Sequence, residues 1–157
     1  MPKTVIIDTS SLILFQKIEE LDILKKIYNE LITTKEIEDE FNASLPDWIE
    51  VLEVNDKKYQ EVLETQLDKG EASAIALAKE YEKPLLILDD RKARKIAQKL
   101  NLKITGTLGV FNKAKQIGVI DRVKPIIDKL LQTDFRISDS VIQEMLKVNN
   151  EEEDPSY

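Results

Sequence analysis

Short apolar runs rich in β-branched residues alternate with helix-periodic segments along this chain. The alternation is typical of an α/β fold with a parallel sheet between two layers of helices, because parallel strands need crossover connections that are usually helical. Strands are predicted over residues 4–7, 31–33, 49–54, 85–88 and 103–105. The first and fourth runs are continuously apolar, which favours central positions in the sheet.

Helical patterns fill the intervals between the predicted strands. They cover residues 10–18, 20–28, 34–42, 57–66, 71–81, 91–100 and 108–117, and then 121–131 and 138–148. Pro125 near the start of the eighth helix and Ser138 as a cap of the ninth fit helix N-termini. We therefore predict a domain over residues 1–120, a C-terminal helical extension over 121–148 packed on it, and a disordered acidic tail over 149–157.

The length and composition suit one compact domain. A chain of 157 residues with 42% hydrophobic content can bury a single core. No apolar run approaches the roughly 20 residues needed to cross a bilayer, and residues 1–3 lead into a strand rather than a signal peptide. We expect a cytoplasmic protein with no membrane partner.

The chain contains neither cysteine nor histidine. Their absence excludes thiol nucleophiles, disulfides, imidazole bases and the usual zinc ligands. Any catalysis must therefore use carboxylates, hydroxyls, amines or a bound ion.

The distribution of charge matters more than its sum. A formal net charge of −7 argues by itself against a nucleic-acid partner. The segment from Arg91 to Ile120, however, contains no acid and carries eight basic residues: Arg91, Lys92, Arg94, Lys95, Lys99, Lys103, Lys113 and Lys115. One part of the surface should be positive, although a solvated helix face without a ligand explains any single one of these residues about as well.

Acidic residues follow the two predicted central strands. Asp8 ends the first run, and Asp89 and Asp90 end the fourth. Ligands of open parallel sheets bind beyond the carboxyl ends of the strands, so these positions suit a functional site. For one isolated aspartate, capping of the next helix is an equally good explanation, but the occurrence of both is more informative.

Two glutamates on predicted helices complete the acidic set. Thr33 and Glu36 match a capping box at the start of the third helix, in which Glu40 borders the inward face. Glu71 shares its helix face with small apolar residues, where a carboxylate is costly unless a cation, donor or proton compensates it. The alternative places Glu71 in solvent at the first helical turn.

Four clustered carboxylates repel one another unless some are protonated or a cation neutralises them. Oxygen ligands without imidazole or thiolate favour Mg²⁺ or Mn²⁺. Such an ion activates water and stabilises charge on a phosphoryl group, which permits phosphodiester hydrolysis without a histidine base. The basic stretch that begins at Arg91 would then guide and hold the polyanion.

The ordered motifs resemble those of the PIN-domain family. They are VIIDTSSL at residues 5–12, IEDEF at 37–41, GEASA at 70–74 and LILDDRKAR at 86–94. The Asp-Asp-Arg-x-Ala-Arg motif with Gly-Thr-Leu-Gly at residues 106–109 is most similar to a toxin-type (VapC-like) ribonuclease subgroup. The resemblance implies a three-layer fold with a five-stranded parallel sheet of order 3-2-1-4-5.

The resemblance also implies residue roles. Asp8, Glu40, Glu71 and Asp90 would be the catalytic acids and metal ligands, with Asp89 as a substitute or supporting ligand. Ser10 occupies a position where relatives have a small polar residue near the site, and it joins the basic residues as a substrate-binding candidate: Arg91, Lys92, Arg94 and Lys95. Leu88 stands where many relatives have threonine, and Glu71 where many have aspartate.

The expected function is metal-dependent cleavage of single-stranded or structured RNA by a toxin paired with an antitoxin protein. DNA as substrate and a homodimer are further expectations left open. One alternative is an RNA-binding or partner-binding module without useful catalysis. A phosphotransfer domain is another, but Asp8 lacks the Asp-x-Asp-x-Thr context of one such class, and the doubled aspartate follows the fourth strand rather than the first.

Overall fold

The computed structural model describes residues 4–152. Five strands form one sheet: β1 (Thr4–Ile7), β2 (Leu31–Thr34), β3 (Ile49–Leu52), β4 (Pro84–Ile87) and β5 (Lys103–Thr105). The helices within these residues are α1 (Thr9–Lys17), α2 (Leu21–Ile27), α3 (Lys35–Phe41), α4 (Lys57–Leu63), α5 (Lys69–Ala78), α6 (Arg91–Lys99), α7 (Thr107–Gln116), α8 (Lys124–Leu131) and α9 (Asp139–Val148).

The sheet is entirely parallel, in the order β3-β2-β1-β4-β5. This confirms the predicted α/β fold and strand order. In the register between the two central strands, Ile7 of β1 is paired with Ile87 of β4. The backbone N–H of Asp8 continues this pairing by donating to the carbonyl oxygen of Ile87 at 3.2 Å. The acids that follow β1 and β4 therefore begin at the same edge of the sheet.

Small side chains allow α5 to lie close to the sheet. Ala72, Ala74, Ile75 and Ala78 are fully buried, in agreement with the small-residue pattern of this segment. On α1 and α7, the rings of Phe15 and Phe111 stack with centroids 4.9 Å apart. These contacts fix three helices relative to the strands whose carboxyl ends carry the acids.

The cap of α3 differs from the prediction. Thr34, not Thr33, occupies the N-cap position, and its hydroxyl accepts a hydrogen bond from the backbone N–H of Ile37 at 3.1 Å. The hydroxyl of Thr33 instead donates to the carbonyl oxygen of Ile7 because β2 continues one residue further than predicted. Glu36 bonds to Gln60 and is not part of a capping box.

The C-terminal helices pack on the rest of the fold. Ile126 and Leu130 of α8 belong to the main hydrophobic core. A second buried cluster joins α8 to α9 and consists of Val123, Ile127, Met145 and Leu146. None of the helices between residues 4 and 152 has the length and apolarity that crossing a bilayer requires.

The structure differs from the predicted disordered tail over residues 149–152. Asn149 is buried, and its side-chain amide donates to Asn112 of α7 at 2.8 Å. Glu151 accepts hydrogen bonds from the backbone N–H groups of Val123 and Lys124, at 2.8 and 3.1 Å. The acidic composition did not reveal these contacts because their partners lie far away in the sequence. Residues 153–157 of the predicted tail lie outside the described residues.

Candidate carboxylate site

Asp8 is a buried carboxylate at the carboxyl end of β1, with only 2% of its surface exposed. It precedes α1, yet its side chain makes no capping hydrogen bond, so helix capping does not explain it. The pKa of Asp8 is raised to about 7, chiefly by burial, and the charges of Glu71, Asp68 and Glu40 raise it further. Interaction with the backbone N–H of Thr9 lowers this pKa and so opposes the increase. The carboxyl group thus lies in an acidic, poorly solvated environment.

Glu40 connects the elements that carry Asp8 and Glu71. Its carboxylate accepts a hydrogen bond from the Thr9 hydroxyl at 2.7 Å and another from the backbone N–H of Gly70 at 3.1 Å. Thr9 follows Asp8, and Gly70 precedes Glu71. Although α3 exposes much of Glu40, these two bonds direct its carboxylate to the space between α1 and α5.

Glu71 forms a reciprocal pair with Asp68 at the start of α5. The Asp68 carboxylate accepts from the backbone N–H of Glu71 at 2.8 Å, and the Glu71 carboxylate accepts from the backbone N–H of Asp68 at 3.3 Å. The pKa of Glu71 is raised to about 7, chiefly by burial and then by the charges of Asp68 and Asp90. The hydrogen bond from the Asp68 backbone N–H acts in the opposite direction and lowers this pKa. Glu71 therefore lies in the capped first turn of α5, with other acids nearby.

Asp68 is an acid of this site that the sequence interpretation missed. It interacts electrostatically with both Asp8 and Glu71. The signal was present in the sequence, since an aspartate three residues before a glutamate matches a capping box. With this cap, α5 begins at Lys69 rather than at the predicted residue 71.

The two consecutive aspartates after β4 have different surroundings. Asp89 accepts hydrogen bonds from the Ser11 hydroxyl at 2.9 Å and from the backbone N–H and hydroxyl of Thr107 at 2.8 and 2.5 Å. Asp90 caps α6 by accepting from the backbone N–H of Ala93 at 2.9 Å. Asp90, but not Asp89, is among the charges that raise the pKa of Glu71.

The structure thus brings Asp8, Glu40 and Glu71 into electrostatic contact, and Asp90 joins them through Glu71. Asp89 lies beside this group but is held by α1 and α7.

A family model described as a PIN domain matches residues 4–151. The chain belongs to the PIN-domain family. No curated protein and no solved structure matches the chain.

PIN domains are generally nucleases, and those nucleases usually use divalent metal ions. The side chains that converge in this PIN domain offer carboxylate and hydroxyl oxygens, which suit a hard cation such as Mg²⁺. In the arrangement seen for residues 4–152, no three acidic side chains form a ready ligand group. Glu40, Glu71 and Asp90 each accept a hydrogen bond from a backbone N–H instead.

A basic cleft lies next to the acids of the PIN domain. Its volume is about 480 Å³, and its walls are Asp89, Arg91, Arg94, Lys95 and Gln98. Arg94 is partly occupied, because its guanidinium donates to the carbonyl oxygen of Leu88 at 2.9 Å. Arg91, Lys92 and Lys95 are exposed. Ser10 is also exposed and lines a smaller cavity on the other side of Asp89.

A larger groove, of about 820 Å³, lies along the edge strand β5 and the neighbouring face of α7. Lys83, Lys103 and Lys113 line it, and none of the four predicted acids does. Its size alone therefore does not mark it as the reaction site. Asp8, Asp89 and Asp90 lie instead at the carboxyl ends of β1 and β4.

Proposed function

We propose that this PIN domain is a divalent-cation-dependent endoribonuclease. The observation that carries the proposal is the buried Asp8 carboxylate, whose pKa is raised to about 7 by burial and by neighbouring acids. A buried carboxylate in an acidic environment is unfavourable unless a proton or cation compensates it. A bound Mg²⁺ or Mn²⁺ would provide that compensation at neutral pH.

The ligands we propose are Asp8, Glu40, Glu71 and Asp90. On metal binding, Glu40 and Glu71 would leave their present backbone donors and turn toward Asp8, and Asp90 would join them from the start of α6. When bound, the ion supplies an activated water and stabilises negative charge on the phosphoryl oxygens. The backbone donors would hold the glutamate carboxylates in place when no ion is bound.

Asp89 has a positioning role in this proposal. Its carboxylate ties the end of β4 to Ser11 of α1 and Thr107 of α7, and so fixes the backbone from which Asp90 extends. We keep it as a supporting residue of the metal site rather than a direct ligand. This refines the expectation from the sequence, which made Asp90 a catalytic acid and Asp89 a substitute or supporting ligand.

The substrate we propose is RNA, single-stranded or structured. Arg91, Lys92 and Lys95 are exposed beside Asp90 and can hold phosphates on either side of the cleaved bond. Arg94 lines the same cleft. This positive region compensates locally for the net charge of −7.

We further propose that the chain acts in the cytoplasm as the toxin of a toxin-antitoxin pair, with an antitoxin protein and a second copy of the chain as candidate partners. The support is the motif Asp-Asp-Arg-x-Ala-Arg at residues 89–94, which resembles the toxin-type subgroup. Growth arrest on expression, relieved by a protein encoded beside it, would be the expected behaviour. Normal growth at high expression of the folded protein would contradict the toxin role.

A partner-binding or RNA-binding module without catalysis is the second candidate. Two observations favour it: the acids in residues 4–152 are not assembled as a ligand group, and Leu88 places a buried apolar side chain where the family resemblance implies threonine. Such a module would bind RNA equally well with or without Mn²⁺. It would release no cleavage products.

The deciding experiment is cleavage of an end-labelled single-stranded RNA by the purified protein. We expect products in Mn²⁺ or Mg²⁺, none in excess chelator, and a loss of at least about 100-fold for Asp8→Asn. Asp121→Asn, which removes an exposed carboxylate outside the site, should cleave like the wild type. Equal turnover in chelator, or in Asp8→Asn, would contradict the proposal.

A further inference from the structure

A cavity of about 250 Å³ lies between α1 and the segment that joins α8 to α9. Its lining residues are Ser10, Ile13, Leu14, Lys17, Asp89, Thr133, Asp134 and Phe135. We propose that it binds one nucleobase of the substrate, next to the cleaved phosphate, with Phe135 and Asp134 as specificity-determining residues. The inference rests on the proposed nuclease function and adds a substrate subsite to it.

The walls have the chemistry that a base requires. Ile13, Leu14 and the Phe135 ring offer apolar surface, against which a flat aromatic base can pack. Ser10, Lys17 and Asp134 supply a hydroxyl, an ammonium and a carboxylate, none of which has a hydrogen bond or ion pair within the part of the chain that the structure describes. Few polar groups at the edge of an apolar cavity are typical of a selective site.

The segment that carries Phe135 is held in position before any ligand binds. The Thr133 hydroxyl donates to the carbonyl oxygen of Leu130 at 2.6 Å and accepts from the backbone N–H of Phe135 at 3.1 Å. Phe135 is partly buried and packs against the main core. Since the ring is already ordered, little conformational entropy is lost when a base stacks on it.

The location connects this cavity to the proposed reaction site. Asp89 lines both the cavity and the basic cleft that contains Arg91 and Lys95. An RNA strand whose phosphates lie in the basic cleft would cross Asp89 and place its next base in the cavity. The volume is below the roughly 300–1,000 Å³ of typical small-molecule sites, so it suits a single base rather than a larger ligand.

Asp134 indicates which base is preferred. Its carboxylate is an acceptor only, and it can pair with two adjacent N–H donors. Guanine presents two such donors on its Watson–Crick edge, whereas uracil presents one. The structure therefore assigns a preference for guanine at this position.

The test compares Phe135→Ala with Phe135→Tyr, which keeps an aromatic ring, on short single-stranded RNAs that differ in one base beside the cleavage site. Loss of stacking should raise KM by about 5- to 100-fold for Phe135→Ala with little change in kcat. Phe135→Tyr should stay close to wild type. Leu131→Ala, an exposed neighbour outside the cavity, is the matched control and should leave KM unchanged. Asp134→Asn should reduce the preference for guanine.

Binding to the Asp8→Asn variant separates this inference from the proposed function. In that variant, anisotropy of a labelled RNA should show the same loss of affinity when Phe135→Ala is added, even if no RNA is cleaved. Thermal unfolding must first show that each variant is folded. Unchanged KM, affinity and base preference in folded Phe135→Ala would overturn the subsite, while metal-dependent cleavage by the wild type would still support the nuclease.

Discussion

The carboxylate of Glu40 lies against the backbone of Gly70, whose N–H it accepts at 3.1 Å. A Cβ atom added at Gly70 would lie 2.5 Å from Oε2 of Glu40. The absence of a side chain at Gly70 therefore permits the approach of Glu40, and the site depends on it. A larger residue would displace the flexible end of Glu40 rather than the backbone of α5.

Gly70→Ala should separate activity from stability. Alanine stabilises a helix by about 0.5–1 kcal/mol relative to glycine, which offsets the displacement of the Glu40 carboxylate. We expect an unfolding free energy within about 1 kcal/mol of wild type, but a fall in kcat of roughly tenfold or more, measured on labelled RNA in Mn²⁺. Lys69→Ala at the exposed preceding position should change neither quantity. Wild-type turnover in Gly70→Ala would show that Glu40 is not needed where it lies.

The stability of the ion-free protein should depend on pH through Asp8 and Glu71. Their pKa values rise from 3.8 and 4.5 to about 7 on folding, so the folded state retains protons that the unfolded state releases. The stabilisation they give is complete below about pH 4 and is lost as pH rises through about 7. In chelator, wild type should therefore lose stability between pH 4 and 8 relative to Asp8→Asn. Parallel curves for the two proteins would contradict this.

Mn²⁺ should reverse that loss. A cation competes with protons for the same carboxylates, so it binds more tightly when they are ionised. We expect Mn²⁺ to raise Tm more at pH 8 than at pH 5, and to have little effect on Asp8→Asn at either pH. Asp121→Asn serves as the control for removal of one surface charge. An equal Tm increase at both pH values would argue against binding at these carboxylates.

Substitutions of the adjacent residues Asp89 and Asp90 should differ in their effect on stability. Asp89→Ala leaves the backbone N–H of Thr107 and the Ser11 hydroxyl without their acceptor, which should lower stability by about 1–3 kcal/mol. Asp90→Asn keeps a good cap for α6, because asparagine accepts from the backbone N–H of Ala93 as aspartate does. It should therefore retain stability and lose cleavage. Denaturant unfolding and RNA turnover, measured on both variants, give the comparison. Full activity of Asp90→Asn would remove that residue from the ligand set.

Glu151 should stabilise the C-terminal helices. Burial opposes its charge, but hydrogen bonds from Lys115 and from the backbone N–H groups of Val123 and Lys124 keep its pKa lowered. Its contribution is present above about pH 4.5 and is lost as pH falls through the lowered value. We expect Glu151→Gln to lower stability at pH 7 by about 1–3 kcal/mol. Glu144→Gln, at an exposed position of α9, should have no effect, and equal stability of both variants would disprove the role of Glu151.

The regular architecture could be predicted because it depends on local pattern. The bounds of β1 and β5 agree with the prediction, those of β2 and β4 differ by one residue, and β3 ends at Leu52 rather than at residue 54. The cap of α3, which is Thr34 rather than the predicted Thr33, shows where prediction from local pattern fails. Two adjacent threonines have the same propensity, and only the end of the strand pairing decides which one caps the helix.

The site was less accessible to sequence reasoning, because contacts across long chain separations define it. Asp89 and Asp90 are neighbours of the same type, and what distinguishes them in the structure is that Ser11 and Thr107 donate to Asp89 whereas Ala93 donates to Asp90. Asp68 appears in the sequence as an ordinary cap, and its influence on Asp8 requires the folded chain. Phe135 gave no signal at all, since its contact with the α1 cavity depends on how the C-terminal helices pack.

The most direct test of the account is a crystal structure of the protein soaked in Mn²⁺, with anomalous diffraction used to locate the ion. We expect one or more peaks within about 2–2.5 Å of carboxylate oxygens of Asp8 and at least two of Glu40, Glu71 and Asp90. The Glu71 carboxylate should then have left the backbone N–H of Asp68. Absence of a peak at this site under saturating Mn²⁺, with Asp8 and Glu71 unchanged, would contradict the account.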